Sequence, residues 1–490
     1  MAGIVSYGAY VPLRRLGQGT QGWRSPGEKA VAYYDEDSLT MAVAAAIDCV
    51  GDIDRKTVDG FYFASTTSPY KEKLAATTAA SAVDLRNDIL TLDCTDSLRA
   101  GVSALRIAVD TVKAGSAKKI LVTASDCRLG APRSEDDQSF GDGAAAFLIG
   151  DGDDVAVTIE GSYSISNELL DLWRSDNSKF VHTWEDRWVY EEGYFKVLPP
   201  AIAEFLKRSK LSTKDITKAI FYGPNARRHA EMGKMLGFQP AQIQDPLFGK
   251  IGNSGAAFTP MMLIAALEDA KPGDTILCAT YGNGADILLL KVTPAISRIK
   301  NKRGIKWNLA HKMIFGSYDQ YLGFHHTSGD VEGGGGPSAS AIARECESIY
   351  PFHGSKCQVC GTVQYPPQRV CTKCQTKDKM ESYRLSDKKA KIFTRVLDYA
   401  APVPGFDSPS VDLLVDWEGG GRALMAMTDK IPVPTVMKDA DKAAPIGLEL
   451  EMTFRKLRGG GGIHHYYWKC MPLRESFVVT EQAAPARPPR

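Results

Sequence analysis

The hydrophobic pattern of the first 295 residues repeats itself. Residues 113–125 end in an apolar run and lead, after a loop, to a glycine turn and a second apolar run at 141–150. Residues 271–280 and 281–290 have the same order. Each copy predicts a buried strand, a turn that needs glycine and a second strand. The pattern therefore predicts an α/β domain built from two related halves.

Each copy follows an apolar stretch that predicts a long helix. One helix is expected to open at Cys94 and the other at residues 252–257. If the halves pack about a pseudo-twofold axis, the helix starts meet, and Cys94 and Asn253 share one central site. A thiol at a helix N-terminus faces unpaired N–H groups and the positive end of the helix dipole, which favours its thiolate. Cys94 is thus a candidate nucleophile, with a buried structural thiol as the alternative.

The pattern changes to short apolar runs in the C-terminal part of the chain. Runs at 391–397, 410–417, 421–428 and 448–455 are separated by Gly and Pro and predict strands. Short strands in this arrangement predict a small OB-type β-barrel.

Four cysteines lie ahead of these strands with the spacing of a metal site. Cys357 and Cys360 form one CxxC pair, and a ten-residue loop separates it from Cys371 and Cys374. Two such pairs place four thiolates at the corners of a tetrahedron, with no open position. We predict a structural zinc site, with chance or redox pairs as the alternative.

These patterns divide the chain into five parts. We expect an α/β domain at 1–295, a helical linker at 296–350 that contains four glycines at 333–336, a zinc ribbon at 351–380, an OB-fold domain at 381–475 and a disordered tail at 476–490.

Composition narrows the functional classes. The chain has 490 residues, 44% of them hydrophobic and 24% charged, which is typical of a globular protein with two or three domains. A net charge of +1 provides no strong field for nucleic acid or an anionic membrane. No signal peptide or membrane-spanning segment is predicted, so we expect a cytoplasmic protein. The cysteines outside the cluster suit a reducing compartment: Cys49, Cys94, Cys127, Cys278, Cys346 and Cys470.

With these features, residues 1–295 resemble the thiolase superfamily, within it the ketoacyl synthase III and 3-hydroxy-3-methylglutaryl-CoA synthase branch. The matching parts are Cys94 ahead of a helix and the segments 141–146, 221–225, 234–238, 252–257 and 281–286. The resemblance implies a five-layered αβαβα fold, with two mixed sheets around a central helix layer. It implies a homodimer and a cysteine that takes an acyl group from CoA or another thioester. A second acyl unit is then joined to that group, or split from it, beside a carbonyl.

The resemblance assigns roles to particular residues, and two of them depart from the family. Cys94 would be the nucleophile, and Asn253 would donate to an oxyanion. Tyr222 stands where the family has His, and Thr66 where the synthase has an acidic residue. Tyr222 can donate a hydrogen bond, but with an ordinary pKa of about 10 it is a poor base near neutrality. A conventional hydroxymethylglutaryl-CoA synthase reaction is therefore not expected. Arg227 and Asn225 are weaker candidates for contacts to CoA.

The zinc ribbon and barrel resemble an acyl-CoA-associated OB-fold family that often accompanies thiolase-like enzymes as a separate subunit. Their fusion to a thiolase-like domain favours a CoA thioester as the substrate. Residues 160–200 carry many aromatics, and we expect them near an acyl tunnel or a dimer interface; plain core is the alternative.

Three functions remain open. The first is an acyltransferase that forms or cleaves a carbon–carbon bond through acyl-Cys94, with Asn253 and Tyr222 as polar stabilisers. The second is a non-catalytic scaffold that pairs with a separate thiolase and channels acyl-CoA to it. The third is nucleic-acid binding by the ribbon and barrel, which the mixed charge of residues 385–470 makes the weakest.

Overall fold

Two units make up the structure, a computed structural model that describes residues 2–299, 302–327, 338–399, 409–430, 440–460 and 463–477. Unit 1 consists of Met1–Ala32, Asp37–Ala80 and Leu85–Leu309. Unit 2 consists of Tyr33–Glu36, Ser81–Asp84 and Ala310–Arg490. The domain bounds expected from the sequence remain predictions.

Thirteen strands and nine α-helices lie wholly or mainly in the described residues of unit 1. The strands are β1 (Gly3–Tyr10), β2 (Arg14–Leu16), β3 (Lys29–Ala30), β4 (Gly60–Ser65), β5 (Leu90–Thr95), β6 (Ile120–Asp126), β7 (Gly143–Gly150), β8 (Val157–Ser166), β9 (Leu172–Trp173), β10 (His182–Thr183), β11 (Lys218–Phe221), β12 (Thr275–Tyr281) and β13 (Gly284–Val292). The helices are α1 (Ser38–Val50), α2 (Ala75–Ala82), α3 (Ala100–Lys113), α4 (Glu135–Ser139), α5 (Asp186–Trp188), α6 (Phe195–Arg208), α7 (Ala226–Leu236), α8 (Phe258–Leu267) and α9 (Gly304–Ala310).

The main sheet of unit 1 has nine strands in the order β11-β12-β13-β8-β1-β7-β6-β4-β5. One half runs β4-β6-β7-β1 and the other β11-β12-β13-β8, with the same parallel and antiparallel pairings. The halves join where Gly3 and Ile4 of β1 pair with Thr158 and Val157 of β8. The predicted duplication is therefore confirmed.

Helices cover both faces of the strands. Helices α3 and α8 contact each other; α3 packs on β4, β6 and β7, and α8 packs on β1, β7, β11 and β12. All ten residues of α8 are buried, as a helix that is apolar on every side requires. Helix α1 packs on β1, β6 and β7, and α6 packs on β8, β12 and β13. These contacts agree with the layered α/β arrangement expected from the resemblance, with the strands of both halves joined in one nine-stranded sheet.

Unit 2 contains a ribbon and a small barrel. Its strands are β14 (Met313–Ile314), β15 (His353–Cys357), β16 (Val363–Gln364), β17 (Met380–Arg384), β18 (Ala390–Asp398), β19 (Ser410–Trp417), β20 (Arg422–Ala426), β21 (Glu449–Gly460) and β22 (Ile463–Pro472). Its helices are α10 (Tyr318–Leu322), α11 (Ala339–Arg344), α12 (Cys346–Ile349) and α13 (Ala440–Ala443). The ribbon sheet has the order β16-β15-β17.

The barrel sheet has the order β20-β19-β18-β21-β22. Met427, directly after β20, forms an isolated β-bridge with Cys470 of β22. The two edge strands of the curved sheet therefore approach each other at this point. Each strand predicted in this region is present, and the barrel is nearly closed. The predicted glycine link at 333–336 and most of the predicted tail lie outside the described residues. Within the described ranges, no helix has the length and apolar character needed to span a bilayer.

Candidate active site

Cys94 lies in strand β5 and not at a helix start. Strand β5 ends at Thr95, and helix α3 begins at Ala100. The Cys94 side chain is half-buried and packs against the hydrophobic core of unit 1. Burial, reinforced by the Asp93 carboxylate, raises the pKa of the Cys94 thiol. The prediction that a helix start favours the Cys94 thiolate is therefore wrong.

Leu98 occupies the position that the sequence analysis gave to Cys94. Leu98 lies two residues before α3, and Asn253 lies two residues before the helical turn Gly255–Ala257 that leads into α8. Both residues line one cavity of about 280 Å³, and Cys94 is not among the residues that line it. The two helix starts meet as predicted, but they bring Leu98, not Cys94, beside Asn253.

Four tyrosines line this cavity, which we call the tyrosine cavity: Tyr190, Tyr194, Tyr222 and Tyr281. Tyr190 and Tyr194 belong to a π-helical turn, Val189–Tyr194, within the aromatic segment 160–200. Such turns are frequent at functional sites. Phe140, Leu172 and Val189 extend the apolar part of the wall. The cavity can therefore hold an apolar group next to a small number of polar atoms.

The amide of Asn253 is fully engaged within the protein. Asn253 is 1% exposed, and its Oδ1 accepts from Arg128 Nη2 at 2.9 Å and from the backbone N–H of Gly255 at 3.1 Å. Its Nδ2 donates to the Tyr222 hydroxyl at 3.2 Å and to the Pro224 carbonyl at 3.3 Å. Asn253 thus connects Arg128 to Tyr222, and its oxyanion role stays a prediction.

Tyr222 presents a hydroxyl to the same cavity. Its oxygen accepts from Asn253, and no described residue accepts the Tyr222 proton. Burial raises the pKa of Tyr222, although the charge of Arg128 and the Asn253 hydrogen bond oppose this shift. Tyr222 therefore stays protonated at neutral pH and can act as a hydrogen-bond donor, as expected from the sequence.

Arg128 is a polar residue of the cavity that the sequence analysis missed. Its side chain stacks on Phe140, with 4.2 Å between Cζ and the ring centroid. Arg128 is 5% exposed, and among the described residues Nε and Nη1 have no hydrogen-bond partner. An arginine two residues after the polar end of a buried strand is the sequence signal that could have indicated it.

The Asp126 carboxylate binds Thr66, the residue at the position where the synthase has an acidic residue. The Asp126 carboxylate accepts from the backbone N–H and the hydroxyl of Thr66, at 2.7 and 2.8 Å. It also accepts from Ser65, Thr67 and the backbone N–H of Ala256. A Cβ on Gly255, which has φ +60°, would collide with this carboxylate. Asp126 therefore holds the α8 turn in place and leaves no free oxygen for proton transfer.

The acidic residues of the tyrosine cavity differ in their environment. Asp171 accepts from the Tyr281 hydroxyl at 2.7 Å. Burial raises the pKa of Asp136, and the nearby Arg128 charge opposes that shift. Glu135 and Asp186 line the cavity but are exposed. Burial therefore favours the protonated form of Asp136 more than water would.

A second, more polar cavity of about 570 Å³ adjoins the first, and we call it the polar cavity. The two cavities share Leu98, Arg128, Asp171 and Leu172. Other polar-cavity residues are Lys71, Lys73, Asp93, Asp96 and Arg174. Thr66 also lines it, and Cys94 again does not.

The two weaker candidates for CoA contacts lie in different places. Asn225 lines the tyrosine cavity and caps α7 by accepting from Arg228 N. Arg227 lines neither cavity and pairs with Glu231 at 3.1 Å on the exposed side of α7. Of these two residues, only Asn225 is therefore positioned to contact a ligand in these cavities.

The four ribbon cysteines converge as predicted. The sulfurs of Cys357, Cys360, Cys371 and Cys374 lie within 4.8 Å of one another. The Sγ atoms of Cys357 and Cys374 are 3.6 Å apart, and those of Cys360 and Cys371 are 3.5 Å apart. A tetrahedral zinc ion with bonds of about 2.3 Å places its sulfurs about 3.8 Å apart, so this donor set fits zinc. Four thiolates fill the shell, which makes the site structural.

Comparisons with known families agree with both parts of the chain. Residues 206–290 match the family described as 3-Oxoacyl-[acyl-carrier-protein (ACP)] synthase III C terminal. Residues 352–381 match the ChsH2, rubredoxin-like zinc ribbon domain. The unit 2 ribbon is thus a zinc ribbon, and unit 1 is a thiolase-like domain.

Curated relatives identify the family of the chain within the thiolase-like class. A hydroxymethylglutaryl-CoA synthase of Methanopyrus kandleri is 31% identical over 336 residues, covering 65% of this chain and 95% of the relative. One of Pyrococcus horikoshii is 32% identical over 311 residues, covering 61% and 89%. The chain belongs to the hydroxymethylglutaryl-CoA synthase family.

Solved structures share the fold at lower identity. A structure of HMG-CoA synthase complexed with CoA has a TM-score of 0.61 at 17% identity and covers 69% of this chain and 94% of that one. The 3-oxoacyl-[acyl-carrier-protein] synthase III of Aquifex aeolicus has a TM-score of 0.53 at 20% identity and covers 59% and 100%. The family of the curated relatives consists of acyl-condensing enzymes, which confirms the expected class at the level of the family.

Proposed function

We propose that unit 1 binds an acyl thioester and that the acyl group occupies the tyrosine cavity. The observation that carries the proposal is the pair of donors that line this cavity, the Tyr222 hydroxyl and the Arg128 guanidinium. A thioester carbonyl oxygen accepts hydrogen bonds from such donors. The adjoining polar cavity offers room for part of the thiol-bearing carrier. A solved structure with the same fold is complexed with CoA, which supports a CoA thioester.

We also propose that this site works without an acyl-cysteine. Leu98 stands beside Asn253, and an alkyl side chain cannot attack a thioester. The Cys94 thiol packs toward the core and has a raised pKa. The function that follows is to hold an acyl-CoA and present it to a separate thiolase-type enzyme. Acyl transfer through Cys94 is the competing hypothesis, since its neighbours Asp93 and Thr95 line the polar cavity.

Acylation of the protein distinguishes these two functions. The full chain is incubated with acetyl-CoA and with longer acyl-CoAs, and intact mass spectrometry measures covalent adducts. We expect no adduct on the wild-type protein or on Cys94→Ser. Leu98→Cys should gain an adduct, because it places a thiol beside the donors of the tyrosine cavity. Leu170→Cys, a thiol at an exposed leucine that lines neither cavity, is the matched control.

Each other outcome contradicts a defined part of the proposal. A wild-type adduct that Cys94→Ser removes would establish acyl transfer through Cys94. Equal labelling of Leu98→Cys and Leu170→Cys would show that the cavity does not direct the reaction. If calorimetry detects no acyl-CoA binding to the wild-type protein and Leu98→Cys stays unlabelled, the tyrosine cavity is not a thioester site.

A presenting role also requires partners. We propose a homodimer formed through unit 1 and a complex with the thiolase-type enzyme that uses the bound thioester. Size-exclusion chromatography with light scattering measures both masses. The mass of a single chain would contradict the dimer, and no change on adding the thiolase would contradict the complex.

A further inference from the structure

Arg128 is a buried cation with hydrogen-bond donors that the described residues leave unused. It forms no ion pair within 4.0 Å in the described part of the chain, and its Nη2 bonds the uncharged amide of Asn253. Nε and Nη1 together carry three N–H groups, and none of them reaches an acceptor in the described residues. The Phe140 ring compensates part of the lost hydration of the guanidinium. The remaining donors indicate a partner that comes from outside the chain.

The acidic residues nearby do not supply this partner. Asp126 is saturated by hydrogen bonds from Ser65, Thr66, Thr67 and Ala256. Asp171 accepts from the Tyr281 hydroxyl. Asp136 lies near Arg128 but accepts no hydrogen bond from Arg128 Nε or Nη1. Glu135 and Asp186 are exposed.

We propose that the acyl group bound in the tyrosine cavity carries its own carboxylate, and that this carboxylate pairs with Arg128. The planar guanidinium matches a carboxylate in geometry and charge. A cavity of about 280 Å³ has room for a dicarboxylic acyl group together with part of its thioester arm. This inference rests on the proposed thioester binding, because it names the acyl class that the same cavity selects.

Paired ligands test the inference. Isothermal titration calorimetry compares succinyl-CoA with butyryl-CoA, and glutaryl-CoA with valeryl-CoA, on the full-length protein. Each pair has the same chain length and differs in the terminal carboxylate. A hydrogen-bonded charge pair predicts that the carboxylated ligand binds roughly tenfold to a hundredfold more tightly. Arg128→Gln should abolish this difference, while Arg208→Gln, an exposed residue that lines neither cavity, should retain it.

Three outcomes would contradict the inference, and a second variant covers a folding failure. Equal affinity of the wild-type protein for both members of each pair would overturn the inference and leave thioester binding intact. An undiminished preference in Arg128→Gln would also overturn it. Failure of all four ligands to bind would overturn the proposed function and this inference together. If Arg128→Gln does not fold, Arg128→Lys keeps the charge but loses the planar fork, and it should bind the carboxylated ligand less tightly than the wild type does.

Discussion

Replacement of Arg455 by Met should strongly destabilise unit 2, because Arg455 is the central cation of a buried charge cluster. Its guanidinium pairs with Glu36 at 2.7 Å, with Asp429 at 2.8 Å and with Asp35 at 3.3 Å. Lys469 pairs with Asp35 at 2.7 Å. All five side chains are at most 4% exposed, so water cannot replace a lost partner.

The magnitude follows from the charges that remain. Without Arg455, three buried carboxylates lose the guanidinium that pairs with each of them. Loss of one partner of a buried ion pair costs about 3–5 kcal/mol. At roughly 2–4 °C per kcal/mol for a domain of this size, the midpoint for unit 2 should fall by about 6–20 °C.

Thermal unfolding of the full chain, followed by circular dichroism, measures this shift. Lys391→Met is the control, since Lys391 and Glu449 form an exposed pair at 3.2 Å, and such pairs contribute about 0–1 kcal/mol. Equal shifts for the two variants would refute the reasoning.

The same cluster predicts a pH dependence. Burial alone would raise the pKa of Asp35, but Lys469 and Arg455 lower it below its ordinary value. A lowered carboxyl pKa contributes stability above its unfolded-state value of about 3.9, and that stability is lost as the pH falls through the folded-state pKa. Stability that did not fall on acidification below about pH 4 would contradict this assignment.

Three further predictions concern the candidate sites. Tyr222→Phe should weaken acyl-CoA binding about fivefold, the effect of one neutral hydrogen bond of about 1 kcal/mol; unchanged calorimetric affinity would exclude its donor role. Cys371→Ser should reduce the zinc content below one ion per chain and destabilise the ribbon, whereas Cys346→Ser, outside the cluster, should leave the metal content unchanged. Cys94 should react with iodoacetamide more slowly than a free thiol at neutral pH, because burial raises its pKa; peptide mapping that shows fast alkylation would contradict this orientation.

The sequence was most informative where a local pattern determines the structure. The alternation at 410–417 predicted β19 with its observed bounds, since one face of the strand is buried. The two CxxC pairs predicted the four converging sulfurs, because the spacing of the cysteine ligands along the chain constrains the fold around the metal site. The repeated strand and turn pattern predicted the two matching halves of the main sheet.

The sequence was least informative where a site depends on contacts between distant segments. Arg128 and Asn253 are 125 positions apart, and nothing in the local sequence shows that their side chains meet. Asp126 is likewise engaged by residues from two distant segments of unit 1, residues 65–67 and Ala256. A strand end also looks like a helix start in a hydrophobic pattern. For this reason the pattern predicts a helix start at Cys94, six residues before α3 begins at Ala100.

The internal duplication offers a stronger criterion for choosing the residue at the site than the chemistry of a single side chain does. Asn253 lies two residues before its helical turn, and counting back two residues from α3 gives Leu98. Leu98 and Asn253 line the same cavity, as this count predicts. The count depends only on sequence position and not on the reactivity of a side chain. A cysteine attracts attention because it can react, yet strand alternation points the Cys94 side chain to the opposite side from Asp93 and Thr95, which line the polar cavity. In a duplicated fold, equivalent positions in the two halves therefore identify the residues that meet, and the chemistry follows from what those residues are.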